Sequence, residues 1–178
     1  MNNDRIKGMI QVYTGDGKGK TTAALGLALR AVGHGRRVII VQFLKGEEVS
    51  GERVSAKFLA PLLTIIPMGR HGFINTVNPD PADKQLALEA MEYAKDLIRK
   101  EACDILILDE VNVAVTYNLV PVQDLLEVMD SKPEQMELIL TGRNAHPEVL
   151  EKADLITEMK NLKHYYDNGV PDRISTER

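Results

Sequence analysis

Short apolar runs alternate along this chain with longer stretches in which apolar residues recur every three or four positions, a pattern that predicts strands and helices in strict succession. Residues 9–13 read as a first strand and 21–32 as a helix, with Leu25, Leu29 and Val32 at core spacing. A second strand is expected over 37–43 and a short third over 63–66. The Gly- and Pro-rich stretch 68–81 reads as a loop. Residues 82–100 form a long amphipathic pattern with Leu86, Met91, Ala94 and Ile98 on the side expected to be buried. The uninterrupted apolar run in 104–108 suits a central strand covered on both faces. A helix over 121–129, a strand over 136–140, a short helix over 147–152 and a last strand over 155–158 follow, and the polar tail from about residue 160 reads as irregular. This order predicts the α/β class: a mainly parallel sheet with helices on both faces, in one domain spanning 1–178. No internal repeat interrupts it.

Composition narrows the function more than the fold. The chain has 178 residues, 44% hydrophobic and 27% charged, as a folded globular protein does. Its 22 Lys and Arg against 26 Asp and Glu leave a net charge of −4, with no basic run to track a phosphate backbone, so nucleic-acid binding is disfavoured. The apolar runs are strand-sized, far short of the roughly 18 residues of a membrane span, and the N-terminus carries no apolar leader. One cysteine, Cys103, cannot form an internal disulfide; a cytoplasmic setting is expected.

Directly after the first strand stands Thr14-Gly15-Asp16-Gly17-Lys18-Gly19-Lys20-Thr21-Thr22, followed at once by the first helix. Glycines let successive amides turn inward around phosphate oxygens, and a helix N-terminus adds partial positive charge at the same place. Lys20 adds a full charge, and Thr21 a hydroxyl suited to a Mg²⁺ (or Mn²⁺) ion on the phosphates. The first position of the general phosphate-loop pattern is Thr14 in place of glycine, while its Gly-Lys-Thr end is intact. Further on, Asp109-Glu110 closes the buried strand. Ligands bind at the carboxyl ends of parallel strands, so these carboxylates read as a Mg²⁺-directed pair, one for the metal or its waters and one facing the nucleotide. Together the motifs point to a nucleoside triphosphate with a divalent metal and leave the reaction open.

Other chemistry-bearing residues are less decisive. His34, His71, His146 and His164 lack metal-ligand spacing; His146 is expected to open a helix and His34 to close a turn. Arg143, at a strand end, suits a phosphate, a ligand amide or a structural ion pair. Cys103 reads as a small core residue.

The remainder of the chain resembles the P-loop ATP:corrinoid adenosyltransferases over nearly its whole length. The resemblance rests on 13–24, on Arg30-Ala31-Val32-Gly33-His34-Gly35, on Val41-Gln42-Phe43-Leu44-Lys45-Gly46, on Leu108-Asp109-Glu110, on Leu140-Thr141-Gly142-Arg143 with His146, and on 163–170. It implies a RecA-type P-loop fold, and transfer of the 5′-deoxyadenosyl group of ATP to Co(I) of cob(I)alamin or cobyrinic acid a,c-diamide with release of triphosphate. It also implies an ATP lying in the loop in reverse sense, with C5′ facing the corrinoid, and metal ligation by Thr21 and Glu110. A homodimer and a flavodoxin-like flavoprotein reductant come with the resemblance. An aromatic loop of the family corresponds here to Gly72-Phe73-Ile74-Asn75: Phe73 suits the cobalt face or a pin to the core, and Asn75 stands where many members carry Trp. The alternative reading is a P-loop ATPase that acts as a switch or assembly factor by hydrolysing ATP.

Overall fold

A computed structural model describes residues 7–46, 49–70, 79–171 and 173. Among these residues six strands, β1 (Ile10–Thr14), β2 (Val38–Gln42), β3 (Leu63–Pro67), β4 (Ile105–Asp109), β5 (Glu137–Thr141) and β6 (Leu155–Glu158), make one sheet in the order β3-β2-β4-β5-β1-β6. Every pairing is parallel. Parallel neighbours need crossovers, and the connecting helices lie on the two faces. On one face α1 (Lys20–Gly33) and α2 (Gly51–Phe58) pack over Ile40, Ile107 and Ile139. On the other, α3 (Pro81–Arg99), α4 (Val111–Thr116), α5 (Val122–Ser131) and α6 (Pro147–Lys152) cover Val41, Leu106, Leu108, Leu138 and Leu140.

The apolar run in β4 behaves as expected. Leu106 and Leu108 enter one core and Ile107 the other, all fully buried. Each such side chain contributes about 1.5–3 kcal/mol relative to an exposed one. Helix α3 starts where its sequence permits: Pro81 needs no amide partner, and the Asp80 side chain accepts the Ala82 N–H at 2.8 Å. Lys95 then ties α3 to Asp124 and Glu127 of α5.

Three expectations need correction. Leu29 is not a core residue: α1 approaches the sheet through Ala24, Ala28 and Ala31, a stripe of i, i+4, i+7 spacing, and leaves Leu29 58% exposed. The stretches 51–58 and 111–116, for which the sequence pattern predicts no element, are helices α2 and α4. In the tail, Tyr165–Asn168 forms a 3₁₀ turn. His34 does close α1, His146 opens α6 by accepting the Glu148 N–H, and Cys103 is buried, where desolvation pushes its thiol up to about 11.

Candidate functional site

Because all six strands run the same way, their carboxyl ends share one edge, and the strand order places the exits of β1, β5, β4 and β2 side by side. The glycine loop leaves β1 there, Asp109 and Glu110 end β4, and Thr141-Gly142-Arg143 ends β5. Residues far apart in the chain thus meet at one place, as the two motifs predicted.

The loop enters α1 through Gly19 in a left-handed conformation, φ 118°, which a side chain would resist. Its other glycines answer a further demand. A Cβ on Gly15 would fall 2.4 Å from the Met159 carbonyl oxygen, and one on Gly17 2.7 Å from the same atom. The Gly17 amide donates to that oxygen at 2.6 Å, and the Met159 amide donates to the Thr14 carbonyl at 2.9 Å. The chain just beyond β6 therefore braces the loop from outside. Lys20 folds back over it, its Nζ donating to the Gly15 and Gly17 carbonyls at 2.7 Å each. Burial lowers the proton affinity of Lys20, Glu110 raises it again, and Arg143 adds to the lowering. Asp16, Lys18 and Thr22 form the exposed rim of the loop.

Asp109 is 1% exposed and is the hub of the site. Its Oδ1 accepts the Thr21 hydroxyl at 2.8 Å and the Thr141 hydroxyl at 2.8 Å; its Oδ2 accepts the Gln42 amide at 3.3 Å and lies 3.9 Å from Lys45 Nζ. With that many donors it is fixed in place, and it orients Thr21 with lone pairs left over for a cation. Lys45 also pairs with Glu52 at 2.9 Å; burial works against its charge, but Asp109 and Glu52 outweigh burial and hold it protonated more firmly than an ordinary lysine.

Glu110 is placed by strain. Its φ of 62° is left-handed, a conformation costing about 1–3 kcal/mol for a residue with a side chain, and its amide donates to the Thr141 hydroxyl oxygen at 2.9 Å. Burial, then the neighbouring Asp109 charge, raises its proton affinity, while Lys20, Lys45 and Arg143 oppose the rise. Two adjacent carboxylates beside a threonine hydroxyl, with no cluster of three His, Cys, Asp or Glu among the described residues, form a donor set that fits Mg²⁺ completing its shell with substrate phosphates and water. Arg143 is exposed, makes no ion pair among the described residues, and acts electrostatically on both Lys20 and Glu110. Phe73 and Asn75 lie outside the described residues.

Gln42, Lys45 and Thr141 belong to this site, yet no role was read for them from sequence. They stand within the segments 41–46 and 140–143 that carry the resemblance, but their meeting at Asp109 follows from the strand order and register: Gln42 lies opposite Asp109 in the β2–β4 pairing, and β5 is the other neighbour of β4.

The model of one protein family, described as ATP:corrinoid adenosyltransferase BtuR/CobO/CobP, matches residues 6–177. A corrinoid adenosyltransferase of Escherichia coli K12 is 37% identical over 171 residues, covering 96% of this chain and 86% of that protein. One from Salmonella typhimurium is 36% identical over 171 residues, with the same coverage. Another, from a Sinorhizobium species, is 38% identical over 173 residues, covering 96% of this chain and 80% of that protein. Among solved structures, the flagellar accessory protein FlaH from Methanocaldococcus jannaschii superposes with a TM-score of 0.58 at 17% identity, over 85% of this chain and 71% of that one. The KaiC-like protein PH0186 from Pyrococcus horikoshii gives 0.53 at 15% identity, over 85% and 73%. These two likenesses concern the fold alone.

Proposed function

The chain belongs to the ATP:corrinoid adenosyltransferase family and transfers the adenosyl group of ATP to a corrinoid; we propose that it does so by gripping the triphosphate at the glycine loop and leaving C5′ of the ribose open to the cobalt. The observation that carries this reading is the hub at Asp109, which joins the loop threonine to the ends of β4, β5 and β2. In the transfer, Co(I) supplies the electron pair of the new cobalt–carbon bond. The C5′–oxygen bond breaks and its pair leaves with triphosphate, so no general base is needed.

The residues then have two tasks, alignment and neutralisation of the leaving group. The amides of the Gly15–Gly19 turn other than that of Gly17, which stays on the Met159 carbonyl, line the phosphates, with Asp16, Lys18 and Thr22 on the rim. Lys20, released from the loop carbonyls, meets the phosphate oxygens, and Arg143 faces them from the β5 exit. Thr21 and Glu110 would hold Mg²⁺ or Mn²⁺ directly, with Asp109 behind Thr21 as its orienting acceptor. When bound, the ion neutralises phosphate charge as it develops on the leaving group. Phe73 remains the residue proposed to cover the cobalt face. A homodimer, a flavodoxin-like reductant, a cytoplasmic setting and one domain over 1–178 complete the reading; among the described residues no helix is long and apolar enough to cross a membrane. Family membership sets aside the ATPase alternative.

Titration of ATP affinity against Mg²⁺ concentration tests the ligand assignment. Thr21→Ala and Glu110→Gln should each weaken Mg²⁺-supported ATP binding about tenfold while leaving the weak metal-free binding unchanged. Wild-type Mg²⁺ dependence in both variants would refute it.

A further inference from the structure

Asn112, on the first turn of α4, is 0% exposed, and neither its Nδ2 nor its Oδ1 has a hydrogen-bond partner among the described residues. A buried amide with both ends unpaired is rare in a folded chain, because the water it loses is not replaced. Its place makes the anomaly informative. Glu110 lies two residues upstream. Across from it runs the turn after β5: a Cβ on Gly142 would fall 3.0 Å from the Asn112 Cβ and 2.9 Å from the Val113 amide nitrogen. The Thr116 hydroxyl fastens the two segments, bridging the carbonyl oxygens of Asn112 at 2.8 Å and Asn144 at 3.0 Å. Asn112 is thus wedged between the segment that carries Glu110 and the turn that carries Arg143, and that turn includes Gly142 at φ 129° and Asn144 at φ 54°.

We infer that Asn112 is a positioning residue for adenosyl transfer: its unpaired amide takes up hydrogen bonds from the Gly142–Asn144 main chain as ATP draws Arg143 inward, and so fixes where Arg143 and Glu110 stand. A leucine of nearly the same shape would pack at this position without the unpaired groups. An amide retained here at a cost to the fold is accounted for by the bound form, in which donor and acceptor are both used. The inference rests on the roles given above to Arg143 and Glu110.

Thermal unfolding of the full-length chain with and without MgATP, together with ATP titration and steady-state adenosylation of cob(I)alamin, tests it. Asn112→Leu should raise the ligand-free Tm by roughly 2–4 °C. It should also shrink the MgATP-induced rise, weaken ATP binding about tenfold and lower kcat, with KM for cob(I)alamin unchanged. Asn112→Ser, which restores a donor and an acceptor, should recover most of the ATP response. If the leucine variant does not fold, Asn112→Ala serves for the same ATP comparison. A leucine or alanine variant with the wild-type ATP response would overturn the proposal, since a merely tolerated core amide predicts that result. Arg143→Ala in parallel separates the two readings: wild-type ATP affinity there refutes the site assignment, whereas weakened affinity there beside an intact response in Asn112→Leu refutes the role of Asn112 alone.

Discussion

Lys20 donates to the carbonyls of the loop it is proposed to serve, so the same charge that meets phosphate also holds the loop in shape without it. Removing it has two separable effects. Lys20→Ala should weaken ATP binding by about 2 kcal/mol, roughly thirtyfold in Kd by calorimetry, because a charge-assisted contact is lost. It should also lower the ligand-free Tm, because two loop carbonyls lose their donor. Unchanged nucleotide affinity would count against the loop assignment. At this scale the sequence was informative wherever a residue's chemistry is local: the glycine and lysine spacing of 14–22 and the acidic pair after an apolar strand each announce themselves. Gln42, Lys45 and Thr141 do not, because a glutamine, a lysine or a threonine at a strand end acquires meaning only from the strand beside it. Asn112 was invisible for the same reason, its significance lying in what it fails to touch.

At the scale of the element, the two missed helices have different causes. Helix α2 buries only Ala56 of its eight residues, so no apolar stripe marks it. Helix α4 is rich in valine and threonine, which favour strands by propensity, and its helical state follows from the left-handed turn at Glu110 and from the burial of Val111, Ala114 and Val115. The error in α1 was confined to Leu29: Leu25 and Val32 pack against the core, but a close helix-to-sheet approach selects alanine at the contact and leaves Leu29 outside it. One demanding contact between elements is that of the β5 exit with α4. Gly142 there has φ 129° and no room for a Cβ against Val113 and Asn112. Gly142→Ala should therefore destabilise the fold by about 2–3 kcal/mol, combining backbone strain with displacement of α4. Chemical denaturation measures it, and a change within 0.5 kcal/mol would mean that the turn adjusts freely.

Over the whole molecule, the order β3-β2-β4-β5-β1-β6 does what no single motif does, bringing four strand exits into one cluster of charges. Strand alternation made the α/β class and the parallel sheet legible from sequence, since buried parallel strands and amphipathic helices obey different periods. The strand order was not legible, because pairing partners are chosen by packing between distant segments. The fold likewise leaves the reaction open: FlaH and the KaiC-like protein share the architecture over 85% of the chain. The chemistry depends on which part of the nucleotide is presented at the strand exits. The direct test is anaerobic incubation of the protein with ATP, Mg²⁺ and chemically reduced cob(I)alamin, following the Co(I) absorbance and identifying the phosphorus product by ³¹P NMR. Attack at C5′ predicts loss of Co(I) matched mole for mole by intact triphosphate, while orthophosphate released without a cobalt–carbon bond would contradict the account.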